Sequence, residues 1–119
     1  MSKMVIHDNT WFWGRAKTIV LAEGKAMCRV AVDNSDNRCW LENLSVHPSI
    51  RRKSYGTELM EIAEAEARKM GCKEIYLLVD APAWTQKWYE RRGYTVHHHE
   101  DDGLPVMVKK LRRKRNETV

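Results

Sequence analysis

The stretch RRKSYGT, residues 51–57, runs three cations into a short turn and then into the helix-like sequence ELMEIAEAEARKM. A helix N-terminus leaves backbone N–H groups without partners and carries partial positive charge. A turn that aims those groups at one point makes a phosphate site. Gly56 permits close backbone approach, and Ser54 and Thr57 can cap the helix or donate hydroxyls. Arg51, Arg52 and Lys53 surround the turn with charge. A charged loop ahead of an ordinarily capped helix uses the same residues, and this window alone leaves both readings open. Two rival phosphate motifs are absent: a Walker A loop puts its glycine before the cation, and no G-x-G-x-x-G occurs.

Other residues could move protons. Glu42 stands in a mostly apolar segment, where a buried unpaired carboxylate is costly, so it should face a cleft or a cation. Histidine titrates near neutrality, which makes His47 a second proton acceptor; Asp33 is a more distant third. His97-His98-His99 invites a metal reading. Neighbours on a strand point to opposite faces, so the three cannot meet at one ion in regular geometry, and no metal site is expected. Trp11, Trp13, Trp40, Trp84 and Trp88 read as core and interface anchors rather than ligand platforms.

These residues need elements to position them. Residues 16–22 and 26–32 read as two strands around the turn Glu23-Gly24-Lys25, and 39–47 as a third after the loop Asp33–Asn37. Pro48 ends the third strand, because it has no N–H for the ladder. Over 56–70 the period becomes helical, with Leu59, Ile62, Ala63, Ala67 and Met70 on one face, and Gly71 stops the helix. The apolar run 74–79 suits a strand buried on both faces. Residues 84–92 read as a short helix capped by Gly93, and 94–99 and 104–111 as a closing antiparallel pair. The stretch 11–14, WFWG, fits either an extension of the first strand or a separate cap. The order predicts an α+β fold with one parallel crossover.

The 119 residues suit one domain, with a core over about 17–111 and a basic tail at 112–119. The net charge of +5 favours anionic partners without choosing among them. Cys28, Cys39 and Cys72 are an odd count without a C-x-x-C pair, and read as reduced thiols. No apolar run is long enough to span a bilayer, and the first residues lack the apolar core of a signal peptide; we expect a cytoplasmic protein that does not enter membranes.

The run from Val46 to Gly56, VHPSIRRKSYG, resembles the acetyl-CoA-binding motif of the GNAT superfamily of N-acetyltransferases, whose core pattern Q/R-x-x-G-x-G/A starts here at Arg51. WYERRGY, residues 88–94, is similar to a second block of that family. The two blocks stand in the family's order, separated by a helix and a strand. Three departures accompany them. Ser54 takes the place of the first glycine, so a positive φ there would carry strain. Only about fifteen residues precede the first predicted strand, too few for the helices that help wall the family's acceptor site. The Asn often found shortly before the second block is replaced by Asp80-Ala81-Pro82.

The resemblance implies a mostly antiparallel sheet with a V-shaped splay between two parallel strands, flanked by helices, and acetyl-CoA lying in the splay. Leu44, Ser45 and Val46 would pair with the pantetheine arm as an added strand does. Arg51, Arg52, Lys53, Ser54, Tyr55, Gly56 and Thr57 would hold the diphosphate. Tyr89 matches the family tyrosine that protonates the departing CoA thiolate, and the Val46 N–H would polarise the thioester carbonyl. Glu42 leads as general base, ahead of His47. The implied activity is acetyl transfer to a primary amine of a small molecule or peptide, with a homodimer as one way to complete the acceptor wall. A catalytically degenerate acyl-CoA binder is the first alternative, and a basic nucleic-acid-binding module is the weaker one.

Overall fold

A computed structural model of the chain describes residues 4–12 and 14–112. Strands β1 (Val5–Trp11), β2 (Gly14–Leu21), β3 (Ala26–Asp33) and β4 (Cys39–Val46) form an antiparallel meander. Helix α1 (Tyr55–Lys69), β5 (Glu74–Leu78), α2 (Trp84–Glu90), β6 (Thr95–His99) and β7 (Pro105–Lys110) follow. All seven strands join one sheet in the order β1-β2-β3-β4-β5-β7-β6, with β4 and β5 parallel. The α+β class and the element order match the sequence reading, with one strand added.

That strand is β1. The polar run His7-Asp8-Asn9-Thr10 hides it, because an edge strand that buries little shows no apolar alternation. Only two residues separate β1 from β2, so no helix intervenes. Within the WFWG stretch Trp11 ends β1 and Gly14 opens β2, and Trp13 lies outside the described residues. Gly14 is required there, since a Cβ would lie 2.5 Å from the Val32 carbonyl oxygen and 2.9 Å from the Trp11 ring. The basic tail lies beyond the described residues, apart from Arg112.

Helix α1 covers one face of β2, β3 and β4, burying Leu59, Ala63 and Ala67 against Cys28, Val30 and Val32. Its polar residues are also held. Glu66 is buried and bonded by Lys17 Nζ at 2.8 Å and Lys69 Nζ at 2.9 Å. Glu64 accepts from Tyr94 Oη at 3.0 Å and Lys109 Nζ at 2.9 Å, which ties α1 to the closing pair. Helix α2 sits on this same side, with Tyr89 packed against Tyr94 and Trp88 against the first turn of α1. Trp40, the partner of Ala31 and Tyr76 in register, points to the opposite side. There Trp40, Tyr76 and His97 form a row, each ring 5.4 Å from the next, and among the described residues no helix covers it.

The histidine run departs from simple alternation. The register slips between Val96 and His98, a bulge that turns adjacent side chains to one side. His97 and His98 therefore meet, Nδ1 to Nδ1 at 2.8 Å. Opposed faces were expected for them; the bulge overturns that geometry, though no group of three or more metal-ligating side chains gathers among the described residues.

Candidate active site

Strands β4 and β5 pair only where Cys39, Trp40 and Leu41 face Ile75, Tyr76 and Leu77. Beyond Leu41 they part. The cause lies on the other edge of β4. Asn43 adopts φ +55, and the register with β3 slips so that Asn43 and Leu44 together stand opposite Cys28. This is a β-bulge, which bends a strand and increases its twist. Asn is among the few side chains that tolerate this conformation. Past the bulge, the edge of β4 toward β5 carries backbone groups with no strand to pair with.

A cavity of about 1350 Å³ fills the splay and runs to the N-terminus of α1. It exceeds the roughly 300–1,000 Å³ of ordinary small-molecule sites, which suits a long ligand. Glu42, Tyr89, Leu44, Val46, Arg51, Arg52 and residues 54–57 line this cavity, whereas Ser45, Lys53, His47 and Asp33 do not. Ser45 is exposed opposite Met27, and Lys53 is exposed outside the cavity.

The loop before α1 is strained. Ser54 has φ +63 and Arg52 φ +71, both in the left-handed region. This region costs a residue with a Cβ about 1–2 kcal/mol. Of the two roles expected of the Ser54 hydroxyl, cap or donor, the structure shows no capping bond; a capping residue needs extended backbone, and Ser54 lacks it. Arg51 Nε donates to the Val46 carbonyl at 3.3 Å, so this cation is laid back over the end of β4. Thr57 Oγ1 accepts from Arg92 Nη2 at 2.7 Å. Arg92 also donates to the Trp88 carbonyl at 2.9 Å and stacks 3.6 Å from the Trp88 ring centroid. The same indole meets Gly56, where an added Cβ would lie 3.2 Å from Cζ2. Trp88 thus carries the contact of α2 with the first turn of α1. Nothing in the sequence distinguished Arg92 from Arg91 for this role.

Tyr89 lies on the buried side of α2 and lines the cavity. Burial pushes its phenol up from the ordinary value, and the Cys28 thiol adds to this against an opposing effect of Arg92. It is therefore protonated at neutral pH, the form a proton donor needs. Glu42 lines the cavity from β4, on the side away from α1. Its cross-strand partner Arg29 stands 3.7 Å away, with both side chains partly exposed. Such a pair is worth about 0–1 kcal/mol and leaves the carboxylate available. Arg29 had not been singled out, although a cation facing Glu42 was one of the two expected arrangements. His47 does not line the cavity; its Nδ1 accepts from the Ser49 N–H at 3.1 Å and caps the turn Pro48–Ile50. Asp33 bonds the Ser35 N–H in the β3–β4 loop. Trp40, Trp84 and Trp88 line the cavity, so three of the tryptophans read as anchors sit at the site.

The profile of the acetyltransferase (GNAT) family matches residues 7–94. The chain belongs to this family. It is 26% identical over 87 residues to an uncharacterized N-acetyltransferase of Schizosaccharomyces pombe, a match that spans 73% of this chain and 60% of that protein. The GNAT fold recurs in nourseothricin acetyltransferase, at a TM-score of 0.68 and 18% identity, covering 94% of this chain and 87% of that one. N-acetylglutamate synthase from Neisseria gonorrhoeae, solved with coenzyme A and N-acetyl-glutamate, aligns at a TM-score of 0.68 and 16% identity over 82% of this chain and 26% of its own. At these identities the structural matches show the fold alone.

Proposed function

We propose that the chain transfers an acetyl group from acetyl-CoA to a primary amine of a small molecule or peptide. The observation that carries this reading is the splay. One cavity joins an unpaired strand edge, a helix N-terminus framed by Arg51 and Arg52, and a buried protonated tyrosine. Leu44 and Val46 offer backbone groups to the pantetheine amides, and the N–H groups of 52–57 face the diphosphate. The substrate supplies a thioester carbon. Glu42 takes a proton from the amine as its nitrogen forms the new C–N bond. The Val46 N–H stabilises charge on the carbonyl oxygen as the C–S bond breaks, and Tyr89 returns a proton to the leaving sulfur.

Calorimetry and thermal shift with acetyl-CoA test the binding half. Ligand at 100 times Kd should stabilise the fold by about 2.7 kcal/mol. No shift at millimolar acetyl-CoA would remove the reading.

A second reading, acyl-CoA binding without transfer, is favoured by Ser54, whose strained backbone stands where the family has glycine. Cofactor binding without acetylation across an amine panel would support it. A nucleic-acid module would instead show affinity that falls steeply with salt. Three cysteines without a disulfide accord with a cytoplasmic site. A homodimer formed over the uncovered sheet face or the closing strands would wall the acceptor side, and sedimentation equilibrium would detect it.

A further inference from the structure

The cavity is electrically divided. Its lining cations are Arg51 and Arg52, both in the loop before α1. Its carboxylates come from three other places: Glu42 in the middle of β4, Asp80 just past β5, and Glu100 just past β6. Of the acidic run after β6 only Glu100 lines the cavity; Asp101 and Asp102 stand in the β6–β7 turn, which Asp102 caps by accepting from the Leu104 N–H at 3.1 Å. Of the three lining carboxylates, only Glu42 is ion-paired with a permanent cation. Glu42 has Arg29 at 3.7 Å, Glu100 has His98 at 3.7 Å, and among the described residues Asp80 makes no ion pair or hydrogen bond. Aromatic surface accompanies the charge. Trp40 is held against Tyr76, and Trp84, four residues after Asp80, is 65% exposed with no ring partner among the described residues. Carboxylates beside open indole faces recognise organic cations, and a cleft of one sign concentrates ligands of the other.

Resting on the acetyltransferase reading above, we propose that the acceptor is a small amine with a second positive charge, an alkyl diamine or polyamine. Asp80 and Glu100 hold the distal ammonium, and the amine that reacts is the one brought to Glu42. An acceptor with a carboxylate beyond its amine, such as glutamate, meets like charge at that end, while both lining arginines lie at the diphosphate loop.

The test is a series on one four-carbon chain: 1,4-diaminobutane, butylamine and 4-aminobutanoate, whose distal group is cationic, neutral or anionic, with the diamine's rate halved for its two equivalent amines. The expected kcat/KM falls in that order, by at least about tenfold per step at low salt, and the spread narrows as salt screens the distal charge. Asp80→Asn with Glu100→Gln should flatten the series while leaving affinity for acetyl-CoA unchanged. The same order should appear in calorimetric binding of the three amines to the CoA complex, which reads the proposal even if turnover is slow. An equal or better response to 4-aminobutanoate, or no binding of any amine to a protein that does bind CoA, would overturn it. Failure to bind acetyl-CoA at all would strike the underlying acetyltransferase reading instead.

Discussion

The indole of Trp88 rests on the backbone of Gly56, at a distance that leaves a Cβ only 3.2 Å from Cζ2. The Arg92 guanidinium stacks 3.6 Å from the centroid of the same ring, which adds to the packing the indole would lose by moving. Glycine at position 56 therefore serves helix packing as well as approach of a phosphate. Gly56→Val should destabilise the fold by about 1–3 kcal/mol through overpacking and weaken acetyl-CoA binding by more than about tenfold, a loss of about 1.4 kcal/mol. Urea denaturation and calorimetry read the two effects. A variant as stable and as tight as the parent would show that the contact is unimportant.

Ser54→Gly should have the opposite sign. The left-handed backbone at Ser54 carries a penalty that glycine avoids, offset in part by the greater freedom of glycine in the unfolded chain. A net gain of about 0.5–1 kcal/mol in urea denaturation is expected, with acetyl-CoA affinity equal or higher. Because the Ser54 side chain makes no capping bond, no contact is lost that would reverse the sign. Destabilisation would show that the serine hydroxyl has a role.

Tyr89→Phe should lower kcat by about 10²–10⁴-fold while changing acetyl-CoA affinity little, because only the proton is removed. Burial pushes the phenol above the ordinary tyrosine value. The donor form is therefore present at all lower pH and is lost only as pH rises past that raised value. The alkaline fall in kcat assigned to Tyr89 should lie at higher pH than for an ordinary tyrosine and vanish in the Phe variant. A variant with parental kcat would exclude the role.

Cys72 should be the reactive thiol. The hydrogen bond donated by the Cys39 thiol lowers it, partial burial opposes this, and Arg15 lowers it further, to about 7. Burial pushes Cys28 up to about 12. In the native protein, iodoacetamide should label Cys72 with a rate that is half-maximal near pH 7 and should spare Cys28 until the fold is opened. A labelling rate that rises only above pH 8.5 would contradict this, as would Arg15→Gln leaving the midpoint unmoved.

Much of this architecture was legible in the sequence because its elements announce themselves. Gly71, at φ +85, stops α1 where the helical period ends. The apolar run of β5 marks a strand buried between neighbours, and its strands and helices fall within a few residues of their expected bounds. What was hidden depends on long-range pairing. β1 buries little and so shows no alternation. The bulge at Asn43 is invisible until β3 supplies a partner that slips against it, and the same holds for the one that brings His97 to His98. Glu42, Tyr89 and the 51–57 loop could be named by type and spacing. Arg92 and Glu100 could not, because what the fold places beside them is not read from spacing: Thr57 and Trp88 for one, the cavity for the other.

The central claim is that this splay carries acetyl transfer to an amine. Its most direct test incubates the protein with acetyl-CoA and 1,4-diaminobutane and measures, in one reaction, the free CoA thiol and the mono-acetylated amine by mass spectrometry. Both products are expected in equal amounts, at a rate above the buffer control that collapses in the Tyr89→Phe variant. Release of CoA without acetylated amine, or no CoA release from a protein that binds acetyl-CoA, would contradict it.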